Sequence, residues 1–141
     1  MSTEQNKAVA RRWYEEGSNK HNAAVIDDLF TAGFVTHNSV IPMGNLEGFK
    51  QSFAAADLLG LRVTVEDMIA EGDKVVARYV AHGTPQGDFM GIPATGKAFT
   101  MTAIDILRFE DGKIAEHWIE SDQLGMLQQL GAIPAPGQAP R

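Results

Sequence analysis

Two residues of this 141-residue chain, Asp105 and His117, combine type and setting in a way that suggests proton transfer. Asp105 interrupts the apolar run Phe99–Phe109 (FTMTAIDILRF), and His117 lies twelve residues on in KIAEHWIE. A carboxylate inside such a run is costly unless it is paired. An imidazole is the natural partner, because it exchanges a proton near neutral pH. A carboxylate and an imidazole together on an apolar wall make a general acid/base pair, suited to removing a proton beside a substrate carbonyl. His37, next to Asn38, is a third candidate, able to orient that carbonyl or donate a proton. Tyr14, Phe34, Met43, Phe53, Phe89, Met90, Ile119 and Leu124 are the candidate walls of a hydrophobic substrate pocket.

The element that must position the pair is a β-hairpin over Phe99–Asp122, turning at Glu110-Asp111-Gly112. A two-residue Asp-Gly loop pairs Glu110 with Lys113 and opposes Asp105 to Trp118. A three-residue loop with Gly112 left-handed pairs Phe109 with Lys113 and opposes Asp105 to His117. Strand side chains alternate faces, so one residue of slip exchanges the partners. The three-residue loop is preferred. It places Met101, Ala103, Asp105, Leu107, Ala115, His117 and Ile119 on one face, and Ile104, Ile106, Arg108, Ile114, Glu116, Trp118 and Glu120 on the other.

Ahead of the hairpin the spacing predicts a helix over 3–20, capped by Ser2 or Thr3, a shorter one over 22–31, and a third over 46–56. A short extended piece, Phe34–His37, and a Pro/Gly-punctuated loop fall between the last two. A second hairpin, Leu61–Ile69 with Lys74–Gly83, turns at Glu71-Gly72-Asp73. Thr84–Lys97 is a Gly/Pro-rich connection with enough apolar content to act as a lid or pocket wall. Asp122 reads as the N-cap of a final helical segment over 123–130. Residues 1–133 form a single domain and 134–141 a disordered tail. Helices followed by a meander of strands give an α+β domain with N-terminal helices packed on a curved antiparallel β-sheet enclosing a cavity.

Composition narrows the classes. A hydrophobic content of 44%, a charged content of 21% and a net charge of −6 fit a globular chain without a nucleic-acid or anionic membrane partner. No cysteine is present, so thiol nucleophiles and disulfides are excluded. The four histidines, at 21, 37, 82 and 117, show no metal-ligand spacing, and neither a phosphate-cradling glycine loop nor a G-x-S-x-G occurs. What remains is acid–base chemistry that needs no cofactor, in a cytoplasmic setting. The outer strip Ile104, Ile106, Ile114 and Trp118 predicts a homodimer.

The segments GDFMGIPATGK (Gly87–Lys97), RFEDGKIAEHW (Arg108–Trp118) and LGMLQQLG (Leu124–Gly131), in that order, resemble the SnoaL-like polyketide cyclases and related predicted ester cyclases of the NTF2-like superfamily. The resemblance covers nearly the whole chain. It implies a cone-shaped α+β barrel and a ring-closing aldol reaction on a polyketide methyl ester, without metal or organic cofactor. It also implies a substitution of the acid/base set. The family's Asp on the last strand falls on Ile119, a His on Asp105 and a Gln on Ala103, while His117 matches a family His. Two alternatives stand beside the enzyme: a non-catalytic small-molecule-binding module, and an epoxide-hydrolase-like activity. The latter needs an Asp–Arg–Asp set, and Arg108 lies on the face opposite Asp105.

Overall fold

The computed structural model describes residues 2–38, 44–88, 91–134 and 136–137. Helix α1 (Thr3–Arg12) starts at a capping box, in which the Ser2 hydroxyl accepts from the Gln5 N–H at 3.1 Å and the Gln5 side chain accepts from the Ser2 N–H at 2.8 Å. It does not run on as one α-helix to residue 20. From Trp13 to Ser18 the chain widens into a π-helical turn, with the Asn19 N–H donating to the Tyr14 carbonyl. The wider turn brings Trp13, Tyr14 and Gly17 all inward, and such turns recur at functional sites.

Gly17 is required by close approach, since a Cβ there would collide with the Trp13 ring. Gly17→Ala is therefore expected to lower stability by about 1–3 kcal/mol through overpacking. A urea midpoint shift with unchanged slope would show it.

Helix α2 is shorter than its sequence suggests, Ala24–Leu29, because Phe30 already starts strand β1 (Phe30–His37). Helix α3 (Leu46–Ala56), whose N-cap Asn45 accepts from the Gly48 N–H, leads through a 3₁₀ turn (Asp57–Leu59) to β2 (Arg62–Glu71). Strands β3 (Lys74–Gly83), β4 (Phe99–Glu110) and β5 (Lys113–Ser121) follow, then α4 (Gln123–Gln129). Asp122 caps α4 as expected, its Oδ1 accepting from the Gly125 N–H at 2.9 Å.

The sheet order is β1-β5-β4-β3-β2. The antiparallel expectation holds for β2 to β5, but β1 joins the edge parallel to β5, which makes the sheet mixed. Helices α1–α3 and the π turn cover one face, and the core lies between, built on Trp13, Ile26, Phe30, Phe34, Val75 and Leu107. A second cluster (Leu59, Phe99, Met126, Leu130) seals one end under α4. Part of the expected tail, residues 135 and 138–141, lies outside the described residues.

The β4–β5 register is neither of the two considered. Asp111 and Gly112 both have positive φ, 49° and 78°, and Glu110 pairs with Lys113, so the loop is the two-residue one. The ladder then slips once more. Phe109 faces Ile114 but Arg108 faces Glu116, leaving Ala115 as a bulge residue. Each slip exchanges the faces and two slips restore them, so Asp105 and His117 still point the same way. Asp105 now opposes Ile119, and His117 opposes Leu107. Ile114 lies before the bulge and undergoes only the first slip. It therefore enters the core, fully buried, instead of joining the outer strip.

Candidate active site

Asp105 is 3% exposed and lies where β4 meets the π turn and β3. Its Oδ2 accepts from the Tyr14 hydroxyl at 2.8 Å. Its Oδ1 accepts from the Tyr79 hydroxyl at 3.2 Å and faces His117 Nε2, also at 3.2 Å. The other imidazole nitrogen, Nδ1, is 2.9 Å from the Thr36 hydroxyl on β1, directly across the parallel pair. A carboxylate offers about four lone-pair positions. The two hydroxyl donors and the contact with the imidazole leave at least one of these open, on Oδ2. Both His117 nitrogens are engaged, so of the two residues Asp105 is the one able to meet an incoming proton. Thr36 suits either charge state of the ring, since a hydroxyl donates to a bare nitrogen and accepts from a protonated one.

The two phenols are held as donors. Burial is the main cause, and the neighbouring Asp105 adds to it: together they push both Tyr14 and Tyr79 well above the ordinary tyrosine range. The His117 ring is fixed by Phe34, nearly parallel at 6.4 Å, and by Phe49, edge-on at 6.1 Å.

These groups open onto a pocket of about 150 Å³ whose apolar walls include Trp13, Phe30, Phe49, Phe53 and Ile119. Of the residues expected to line it, Tyr14, Phe53 and Ile119 do so. Phe34 stands behind the His117 ring, fully buried. Leu124 is exposed on α4 and contributes nothing to the pocket. Met43, Phe89 and Met90 lie outside the described residues. The described part of the 84–97 connection supplies no wall of this pocket.

His37 must be withdrawn from the site. The β1 phase turns Phe34 and Thr36 inward and His37 outward. Its Nε2 bonds Glu116 at 2.7 Å and its ring stacks on Trp118 at 5.2 Å, all on the sheet's outer face. Arg108 is there too, bonding Glu116 and Glu110. The hydrogen bonds from His37 and Arg108 hold the Glu116 carboxyl below its ordinary range. Among the described residues no arginine lines the pocket, and Arg108 is on the opposite face of the sheet from Asp105. No group of three His, Asp or Glu suited to a metal ion occurs among the described residues either.

Residue-by-residue reading missed Tyr79 and Thr36. A signal for Tyr79 exists: it is the one large inward residue in the β3 series Ala77, Tyr79, Ala81, whose small neighbours leave its hydroxyl a path to Asp105.

Comparison with known proteins agrees with this architecture. Residues 8–130 match the family model described as SnoaL-like polyketide cyclase. The chain belongs to that family. It is 31% identical over 122 residues to the aklanonic acid methyl ester cyclase DauD of Streptomyces sp. (strain C5), covering 79% of this chain and 74% of DauD. With the aklanonic acid methyl ester cyclase DnrD of Streptomyces peucetius it shares 40% identity over 60 residues, 43% of this chain and 41% of DnrD. Among solved structures, TsrD from Streptomyces laurentii superposes with a TM-score of 0.84 at 30% identity, covering 94% of this chain and 99% of TsrD. IdmH from Streptomyces antibioticus gives 0.78 at 33%, covering 90% and 99%. The family fold, helices on a curved sheet around a pocket, is thus the fold of this chain. Ile119, on which the resemblance places the family's last-strand carboxylate, is paired directly with Asp105 across the β4–β5 ladder.

Proposed function

We propose that this SnoaL-like chain is a cofactor-independent, cyclase-type enzyme acting on a hydrophobic, carbonyl-bearing small molecule, with Asp105 as the general base. The observation that carries this reading is a buried carboxylate in an aromatic pocket, held by two tyrosine hydroxyls and faced by an imidazole, with an acceptor position left open on Oδ2. In the proposed step, Asp105 Oδ2 takes a proton from the carbon beside the carbonyl, and the C–H electron pair moves onto the carbonyl oxygen as an enolate. Protonation uses the open position and turns Asp105 into a donor, which lets the Tyr14 or Tyr79 hydroxyl swing toward the enolate oxygen. The enolate carbon then attacks a second carbonyl of the same molecule, and the proton on Asp105 passes to the new alkoxide. Protons balance, and the carboxylate is restored. His117, anchored by Thr36, carries part of the charge and holds the carboxylate in place.

The substrate class is taken from the relatives' names: a methyl ester of the aklanonic acid kind is the first compound to try. With a volume of about 150 Å³, the pocket accepts the reacting end of such a molecule and leaves the rest at the mouth. A binding module without catalysis is the second reading. The mutual contacts of the buried Asp105, Tyr14, Tyr79, His117 and Thr36 favour it, because a purely structural pair would be satisfied in the same way. Ring closure of aklanonic acid methyl ester, followed by chromatography, separates the two readings: the first predicts product and the second a bound, unchanged ester.

A homodimer through the outer sheet face, in a cytoplasmic setting, belongs to the same proposal. Ile104 is 48% exposed there, and Ile106 and Trp118 are partly covered, although Ile114 no longer contributes. Sedimentation at micromolar concentration is expected to give a dimer, which Ile104→Lys converts to monomer. A monodisperse monomer for the unaltered chain would remove this part. Among the described residues no helix is long and apolar enough to cross a membrane.

A further inference from the structure

A second site lies away from the Asp105 pocket, at the end of the sheet where β2, β3 and β4 begin or finish. Arg62, His82 and Thr100 are register partners on three adjacent strands, Arg62 opposite His82 and His82 opposite Thr100. They line a trough of about 450 Å³ that no carboxylate enters among the described residues. The other three histidines, His21, His37 and His117, each face an Asp or Glu, and among the described residues six of the Lys and Arg side chains are ion-paired while Arg11, Lys20, Lys97 and Lys113 are not. Among the described residues, Arg62 and His82 have no acidic partner.

The trough is also built rather than loose. Asn19 closes the open edge of β2 by bonding both the N–H and the carbonyl of Val63, and its own carbonyl accepts from Arg62 Nη1 at 3.2 Å. This pins the guanidinium at the rim and leaves its remaining N–H donors for another acceptor. On the far side, Gln129 of α4 bonds both the N–H and the carbonyl of Thr100, at 2.8 Å each, closing the β4 edge. Between these two fixed rims stand a guanidinium fork, an imidazole and a hydroxyl, spaced by the strand separation of about 4.8 Å. This donor set matches a planar or tetrahedral oxyanion.

We propose that this trough binds the carboxylate or phosphate group of a small molecule, with Arg62 making the forked contact and His82 and Thr100 completing it. The site is independent of the chemistry at Asp105. The test is a titration of the ¹⁵N-labelled full chain with sodium benzoate and, separately, with phenyl phosphate, each against sodium chloride at matched ionic strength and against neutral benzamide. Saturable shifts at Gly60, Arg62, His82 and Thr100 are expected with at least one of the two anions, and whichever saturates identifies the group. Arg62→Gln should raise the dissociation constant at least tenfold while peaks around Asp105 stay in place. His82→Gln, at an exposed strand position, is the second variant and should weaken binding several-fold. Linear shifts, equal shifts with chloride or benzamide, no response to either anion, or undiminished binding in both variants would overturn the proposal.

Discussion

In a spectrophotometric titration at 295 nm, neither tyrosine of this chain is expected to form phenolate until the fold itself gives way. Tyr14 and Tyr79 are the only two tyrosines present, so the signal has no exposed background. Both donate to Asp105, and burial together with that negative charge raises both above the ordinary value of 10.0. The sign of the linkage follows. A raised folded-state value means the folded chain keeps its protons while the unfolded chain loses them. The stabilisation is fully present below pH 10 and is lost as the pH climbs above it. Two phenols withheld from ionisation give a slope of about −2.7 kcal/mol per pH unit there, enough to remove an ordinary domain's stability within a few units. Absorbance should therefore rise in one cooperative step that coincides with loss of circular dichroism. The Tyr14→Phe/Tyr79→Phe double variant should lose that slope. Phenolate appearing at pH 10 in a chain that is still folded would mean the hydroxyls are not on Asp105.

His117→Ala and Asp105→Asn are expected to separate stability from activity. Removing the imidazole deletes one partner of a buried pair, leaves the Thr36 hydroxyl without its partner and empties the space in front of Phe34. Breaking a buried pair costs about 3–5 kcal/mol, and a denaturant titration reads it directly. Asp105→Asn keeps the shape and an acceptor oxygen for the tyrosines. Its stability loss should stay nearer the 1–3 kcal/mol of an imperfectly matched buried polar group. Its turnover should nevertheless fall about 10²–10⁴-fold, the usual contribution of a positioned acid or base. If instead both variants lose stability equally and the asparagine variant keeps its turnover, the pair is structural and the binding-module reading gains.

Much of this site was legible in the sequence because one residue was out of place. An aspartate in the middle of FTMTAIDILRF demanded a partner, and the strand period put His117 on a matching face. The register was not legible, because the type I′ turn and the Ala115 bulge each shift the ladder by one and nothing in KIAEHW marks the bulge. That the inward face was assigned correctly nonetheless reflects the cancellation of two slips, and Ile114, which feels only one, was misplaced. His37 was misplaced for a related reason. Phe34-Val35-Thr36-His37 alternates without a clear apolar phase, and the fold turns the threonine inward and the valine and histidine outward. Tyr14 and Tyr79 look like ordinary core aromatics until the π turn and β3 aim their hydroxyls at one carboxylate. The parallel edge strand also left no local trace, since a short piece after a helix does not encode which edge it will join.

The most direct test of Asp105 as the base is deuterium uptake from D₂O at the carbon beside the carbonyl of aklanonic acid methyl ester and a panel of related β-keto methyl esters. Mass spectrometry would compare the unaltered chain with Asp105→Asn. The proposed chemistry predicts uptake by the unaltered chain well above buffer for at least one ester, reduced at least a hundredfold in the asparagine variant. Equal uptake by the two proteins, or none above buffer for any ester, would contradict it.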